Sequence, residues 1–226
     1  MAVSATSEVR GRIAEIFASL QGEGVTAGVP SVFVRLQGCS VGCGWCDTKY
    51  SWDPTKGGAW SLEAILEAIS ITCLKNVVIT GGEPLESRMF VPLVSALGAQ
   101  GYRIEVETAG VLEPPDLAVD QWNVSIKLAH SGVPEERRIR PTAIHDFVAR
   151  DAWFKFVVAQ SEDVDEVLEL QKRFSLPQER VLLMPEGIER EALVERSRWI
   201  WEACQSHGFR FSPRLHILLF GAKRGV

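Results

Sequence analysis

Three cysteines fall within eight residues, as Cys39-x3-Cys43-x2-Cys46, on a loop that also carries Gly38, Gly42 and Gly44. No other feature constrains the chain as strongly. Close thiols on a loop that glycine lets turn tightly can wrap one small inorganic centre. Thiolates suit zinc or iron–sulfur clusters. A closed structural zinc site takes four ligands, and none of the four histidines lies near the loop. Three thiolates with no local fourth partner fit a four-iron cluster whose open iron binds a cofactor or substrate. Zinc completed by a distant His or Asp, and three free thiols in a packed turn, are the competing readings. The five cysteines are odd in number, a poor basis for a disulfide framework. Cys73 and Cys204 read as core residues, Cys204 through the helical register Leu193, Val194, Ser197, Ile200, Trp201.

A chain of 226 residues suffices for one α/β domain, so 1–226 is expected as a single domain, with 1–10 mobile and 38–48 as the cysteine loop. Hydrophobic residues at 46% can fill a core, which excludes general disorder. The net charge of −5 argues against a broad basic surface for nucleic acid. No apolar run reaches the roughly 18–20 residues that span a bilayer, and the N-terminus has no secretory h-region. A soluble, cytoplasmic protein with neither nucleic acid nor membrane as partner is expected.

Strands are expected over 12–17, 32–37, 76–80, 103–107, 122–126, 153–158, 181–184 and 215–219. Helical periodicity begins at Leu62, where Ser61 can cap it, and recurs over 87–100, 163–174 and 189–207. Strands spaced by helices imply a parallel sheet with right-handed crossovers. Strands and helices together are too few for a comfortable eight-stranded barrel with all its helices. The expected fold is α/β, a partial (open) parallel β/α barrel of about six strands with some short or missing helices. Gly81-Gly82-Glu83-Pro84, Glu107-Thr108, Ser125 with Lys127, and Met184-Pro185-Glu186-Gly187 all fall at C-terminal strand ends, the edge where such folds build active sites. The stretch 128–152, with Glu135-Glu136-Arg137-Arg138, matches no functional motif; a surface loop, a crossover and a dimer contact are its open readings, and a charge run is most often solvated.

The cysteine spacing, with aromatic Trp45 before Cys46, resembles the cluster loop of the radical S-adenosylmethionine (SAM) superfamily, and Gly81–Pro84 resembles its segment for the methionine amino group. The flanks are narrower. Leu20-Gln21-Gly22-Glu23-Gly24, Cys46-Asp47-Thr48, Glu107-Thr108, and the ending with Arg214-Leu215-His216 and Lys223-Arg224-Gly225-Val226 resemble the 7-carboxy-7-deazaguanine synthase family. The likeness runs from about Glu15 to the C-terminus.

That resemblance implies a radical SAM enzyme, a carbon–nitrogen lyase of queuosine and 7-deazapurine biosynthesis. It would contract 6-carboxy-5,6,7,8-tetrahydropterin to 7-carboxy-7-deazaguanine and release ammonia. It implies a 4Fe-4S cluster, SAM and Mg²⁺, an electron donor such as flavodoxin or ferredoxin, and a homodimer. Cys39, Cys43 and Cys46 would ligate three irons, and Thr48 the Mg²⁺. Trp45, Cys46, Asp47, Gly82, Glu83, Ser125, Ile126, Lys127, Met184, Pro185, Glu186 and Gly187 would hold SAM, with Glu83 accepting from its ammonium group. Leu20, Gln21, Gly22 and Glu23 would meet the substrate largely through backbone. Arg35, a planar fork for its carboxylate, would join Thr80, Glu107, His216 and the C-terminal Val226. Glu107 and Lys127 would be the catalytic residues. The alternatives are another radical SAM enzyme, such as a glycyl-radical activase, and a non-catalytic zinc-binding module.

Overall fold

The protein, as a computed structural model, is described over residues 9–226. Of the segment expected to be mobile, 1–8 lie outside the described residues. Arg10 already opens a strand, and the Val9 carbonyl accepts from Leu62 N–H. The chain begins with β1 (Arg10–Leu20), β2 (Pro30–Leu36) and β3 (Gly58–Ser61). It continues with α1 (Leu62–Ser70), β4 (Asn76–Gly81), α2 (Phe90–Ala99), β5 (Arg103–Thr108) and β6 (Gln121–Val124). Then come α3 (Glu135–Arg138), α4 (Pro141–Ala149), β7 (Trp153–Val158) and α5 (Glu162–Phe174). The last elements are β8 (Val181–Pro185), α6 (Arg190–His207), β9 (Arg210–Phe211) and α7 (Leu215–Phe220).

One sheet of nine strands runs in the order β3-β1-β2-β4-β5-β6-β7-β8-β9 and does not close. From β2 to β9 the pairs are parallel, as the strand–helix alternation implies. Two expectations fail at the ends. The sheet exceeds the expected six or so strands because β3, β1 and β2 form an antiparallel extension. The run 215–219 is helix α7, and the neighbouring sheet edge is the two-residue β9. A short unbroken apolar run has no period that separates strand from helix.

Period-two alternation divides each strand between two environments. On β5, Ile104 and Val106 join the core under the helices, so Glu105 and Glu107 face the barrel interior. On β7, Phe154, Phe156 and Val158 join that core, while Lys155 and Val157 line the interior cavity. On β2, Val32, Val34 and Leu36 face the core, and Phe33 and Arg35 face the cavity. Each such buried Val, Leu, Ile or Phe contributes about 1.5–3 kcal/mol. The register is therefore strongly fixed, because a one-residue slip would exchange both faces.

Ser61 caps α1 as expected, its Oγ accepting from Ala64 N–H at 3.2 Å, a contact of about 1 kcal/mol. No helix bridges β5 and β6. Two cysteine and helix-face expectations need correction. Cys73 is exposed, at positive φ on the turn after α1, and only Cys204 is buried. On α6, Leu193, Ile200 and Cys204 form the buried stripe, while Val194 and Trp201 lie one residue further round and are exposed. Among the described residues no helix is long and apolar enough to cross a membrane.

Candidate active site

A cavity of about 320 Å³ opens among the C-terminal ends of the parallel strands. Cys39, Cys43 and Cys46 all line it as free thiols. The loop that carries them leaves β2 through Gly38 at φ 112°, and turns again at Gly42 at φ 76°. Beneath it lies the Gly81–Pro84 turn. Glu83 N–H donates to the Gly38 carbonyl at 2.9 Å, and Gly82 N–H to the Leu36 carbonyl at 3.1 Å. A Cβ on Gly82 would fall 2.0 Å from the Gly38 oxygen and 2.7 Å from Cys39 Cβ, so only glycine fits.

Glu83 itself lies behind the cavity wall, not on it. Its carboxylate accepts from Thr108 Oγ1 at 2.7 Å, Ala109 N–H at 2.7 Å and Leu85 N–H at 3.1 Å. Burial pushes its carboxyl above the usual range. In this arrangement it braces the Gly81–Gly82 turn against β5. Ile126, Pro185 and Gly187 also stand off the cavity. The remaining residues expected around SAM line it: Trp45, Cys46, Asp47, Gly82, Ser125, Lys127, Met184 and Glu186.

Lys127 Nζ donates to Ser125 Oγ at 2.8 Å and sits 5.3 Å from the Trp45 ring centroid. Among the described residues no carboxylate lies within ion-pair distance of it, and burial pulls its ammonium below the usual value. Burial pushes the Cys39 thiol up to about 11. It raises Cys43 too, against the opposing pull of the Lys127 charge. Ligation of a metal by these thiols would release their protons.

The stretch 128–152, for which the sequence offered no motif, touches the cysteine loop. Gly44 N–H donates to the Ser131 carbonyl at 2.8 Å, and Arg137 donates to the Ser40 carbonyl. Ser40 N–H is held from the other side by Glu86 at 3.0 Å. These contacts clasp the cysteine loop at Ser40, between the first two thiols, and at Gly44, between the last two.

On the opposite side, Leu20, Gln21, Gly22, Glu23, Arg35, Thr80, Glu107, His216 and Val226 all line the same cavity, as does Thr48. Thr80 Oγ1 donates to Glu107 Oε2 at 2.7 Å, and Gln21 Nε2 to Glu107 Oε1 at 3.1 Å. Gln21 thus holds Glu107 through its side chain. Gly22 packs so closely that a Cβ would fall 2.2 Å from His216 Nδ1. His216 stands on α7, not on a strand, and burial lowers its affinity for a proton.

Arg35 is not a free fork. It pairs with its cross-strand neighbour Glu15 at 2.7 Å through Nε. Tyr50 donates to the same carboxylate oxygen at 2.6 Å. Burial pushes the Glu15 carboxyl up, but Tyr50 and Arg35 outweigh it and leave it below the usual range. The Arg224 guanidinium lies 3.6 Å from the Tyr50 ring centroid, which holds the C-terminal tail at the rim.

Several residues that line or underlie the cavity were missed in the sequence. Lys155 forms an ion pair with Glu23 across the barrel. Burial pushes the Glu23 carboxyl up, but Lys155 and Arg214 hold it well below the usual range. Glu105, fully buried under Gln21, accepts from Gln21 at 3.1 Å and Asn123 at 2.7 Å, and from Thr26 at 2.9 Å. The signal for Lys155 and Glu105 was present. Each is a charged residue between apolar neighbours, Trp153-Phe154-Lys155-Phe156 and Arg103-Ile104-Glu105-Val106, and so occupies the non-core phase of its strand.

Among the described residues no three His, Cys, Asp or Glu groups converge on one point where a single ion would sit. The three thiols ring part of a cavity instead. That suits a multi-iron cluster in which each iron takes one thiolate, and it gives the zinc-module reading no ligand set. Trp45 Nε1 is buried without a hydrogen-bond partner beside the thiols, a donor left for a bound group.

Residues 33–133 match the Radical SAM superfamily. A protein named 7-carboxy-7-deazaguanine synthase from Pyrobaculum aerophilum is 44% identical, covering 99% of this chain and 100% of that protein. Proteins of the same name from Hyperthermus butylicus and Escherichia coli K12 are 38% and 31% identical, each over 92% of this chain and over 92% and 97% of their own lengths. Among solved structures, QueE from Escherichia coli superposes with a TM-score of 0.75 at 30% identity, covering 92% of this chain and 95% of that one. SuiB from Streptococcus suis, bound to S-adenosylmethionine, gives 0.57 at 13% identity over 77% of this chain and 48% of its own, a likeness of fold alone.

Proposed function

The chain belongs to the 7-carboxy-7-deazaguanine synthase family of radical SAM enzymes, and from that premise we propose that it converts 6-carboxy-5,6,7,8-tetrahydropterin to 7-carboxy-7-deazaguanine with release of ammonia. This is the net work of a carbon–nitrogen lyase. One observation carries the reading: the three thiols and the Glu107 carboxylate with its Thr80 and Gln21 donors line one continuous cavity. A cluster-bound cofactor and a donor-rich heterocycle can therefore meet inside it.

In this reading Cys39, Cys43 and Cys46 hold a 4Fe-4S cluster, and Trp45, Gly82, Ser125 and Lys127 seat SAM against it. When bound, the cluster and SAM supply one-electron chemistry that begins with hydrogen abstraction. The protein binds, orients and shields. Glu107 already accepts one hydrogen bond on each oxygen. Its remaining lone pairs face the cavity, and they accept from the ring N–H groups of the pterin. His216 borders the same space and carries a neutral imidazole at neutral pH, because burial disfavours its charged form. It can therefore accept as well as donate. Thr48, beside Cys46, offers its hydroxyl to a Mg²⁺ that also takes the substrate carboxylate and several waters. Arg35 steadies that carboxylate while remaining paired with Glu15. The buried floor, with Phe17 and Phe33 stacked at 5.0 Å, excludes water from reactive species.

We read the whole chain as one such domain working in the cytoplasm, as a homodimer reduced by a flavodoxin or ferredoxin. The glycyl-radical activase alternative gains nothing from the comparisons, since the relatives aligned along the full chain carry the synthase name.

The test is anaerobic reconstitution with iron and sulfide, followed by reductant, SAM, Mg²⁺ and the pterin. Mass spectrometry follows 7-carboxy-7-deazaguanine, ammonia, 5′-deoxyadenosine and residual SAM. Product in excess of SAM lost is the expected result. SAM cleavage without product would overturn the substrate assignment, and a requirement unaffected by Mg²⁺ removal would overturn the role of Thr48.

A further inference from the structure

The two sides of the cavity are joined by one buried guanidinium. Arg214 is 7% exposed and lies just before α7. Its Nε donates to Glu23 Oε1 at 3.0 Å, and one terminal nitrogen donates to the Gly187 carbonyl at 2.5 Å. The other terminal nitrogen donates to Asp47 Oδ2. Three segments far apart in sequence thus meet on one planar group. Asp47 directly follows the last thiol, Gly187 ends the β8 loop, and Glu23 belongs to the substrate-side turn.

From Glu23 the connection continues. Glu23 N–H donates to Gln21 Oε1 at 3.2 Å, and Gln21 holds Glu107. Leu215 N–H, next to Arg214, donates to the Gly22 carbonyl at 2.9 Å and so sets where His216 stands. A guanidinium has rigidly disposed donors in one plane. Moving Asp47 therefore moves the plane, and the plane carries Glu23 and α7 with it.

We propose that Arg214 is a positioning residue that couples the cofactor side of the cavity to the substrate side, so that SAM at the thiols tightens binding of the pterin. The proposal rests on the reading that both ligands share this cavity. Coupling of this kind is reciprocal, so the pterin tightens SAM by the same factor. A strut that merely stabilised the fold would support both sites without linking them.

The experiment measures the dissociation constant of 6-carboxy-5,6,7,8-tetrahydropterin by calorimetry, with and without saturating SAM. It uses the cluster-loaded protein, anaerobic and without reductant, so no turnover occurs. The wild type is expected to bind the pterin about tenfold more tightly with SAM present, within the usual range of such couplings. In Arg214→Gln the ratio falls to about one, and in Arg214→Lys it lies between, because an ammonium is a point donor and not a fork. Asp47→Asn, which leaves the Arg214–Glu23 pair in place, also loses the ratio, and it decides the matter if Arg214→Gln fails to fold. Thr80→Val weakens the pterin but keeps the ratio.

Variants at Arg214 and Asp47 that bind both ligands more weakly yet keep the wild-type ratio would make Arg214 a strut and overturn the coupling. A wild type that binds both ligands independently would overturn it as well. A wild type that does not bind the pterin at all would overturn the substrate reading and the coupling together, a result distinct from either of these.

Discussion

Gln21 donates its side-chain amide to Glu105 at 3.1 Å, and the same nitrogen reaches Glu107 at 3.1 Å. One amide thus holds two carboxylates that stand two residues apart on β5. Glu105 never reaches the cavity and is fully buried. Its work is to orient Gln21, which in turn fixes how Glu107 presents itself. Glu105→Gln keeps the volume but replaces an accepting oxygen with a donor that faces the Gln21 donor. Pterin affinity should fall about tenfold, or roughly 1.4 kcal/mol, with SAM affinity unchanged. Separate titrations with each ligand check this; an equal loss for both would mean a general loosening of β5.

Lys127 is a partly buried ammonium beside the thiols and the Trp45 indole, with one hydrogen bond to Ser125 and no ion-pair partner among the described residues. A desolvated charge without a counter-charge is costly, and sites kept for function often carry such costs. Lys127→Met should therefore raise the stability of the cluster-free protein by about 1 kcal/mol, the low end of the cost of an incompletely matched polar group. SAM binding should weaken at the same time. Denaturant unfolding and equilibrium dialysis with SAM test the two halves; a destabilised variant would show that the ammonium is already compensated.

Glu23 titrates below its ordinary value of 4.5, because Lys155 and Arg214 outweigh the effect of burial. The stability from this group is fully present above 4.5 and is lost as pH falls through the folded value. Glu23→Gln strands the buried Lys155 and takes from Arg214 one of its two carboxylates, Asp47 being the other, which costs about 3–5 kcal/mol at neutral pH. It also removes this carboxylate's share of the acid decline. The gap between wild type and variant should be wide at neutral pH and should narrow as the pH drops below 4.5. Urea unfolding across that range measures it, and a constant gap would contradict the assignment.

Gly82 has no room for a methyl group, since the carbonyl of Gly38 and the Cβ of Cys39 already occupy its place. Gly82→Ala should push the cysteine loop away while leaving the strands paired. The expected result is a folded protein with unchanged far-ultraviolet circular dichroism and much less iron after reconstitution. Full iron loading would show that the loop shifts without losing its thiols' convergence. Gly101→Ala, at an open turn with nothing within 4 Å of the new carbon, should load iron normally despite the strain of its φ of 71°.

Much of the parallel sheet was legible, because its strands and helices announce themselves by period. Val77-Val78-Ile79 and Phe154 to Val158 are short runs that only a doubly covered strand would bury. The antiparallel extension was less legible, because Gly58–Ser61 is too short to carry a pattern. Leu215–Phe220 misled for a related reason: five apolar residues broken only by His216 fit either period. His216 nevertheless reaches the cavity from the helix, so its position near the C-terminus was informative while its secondary structure was not.

The sequence by itself determined the chemistry that lies close along the chain. Cys39, Cys43 and Cys46 are close by covalent spacing, and Gly81 and Gly82 mark a turn that needs no side chain. Only the tertiary structure decided which distant charges share a wall. It set Glu83 as a brace against Ala109, and it joined Lys155 to Glu23 and Arg214 to Asp47. The physical reason is that periodicity tells which face of a strand a residue occupies, but not what stands opposite. That is set by the order and register of the strands, and by where the chain's last helix comes to rest against its first turn.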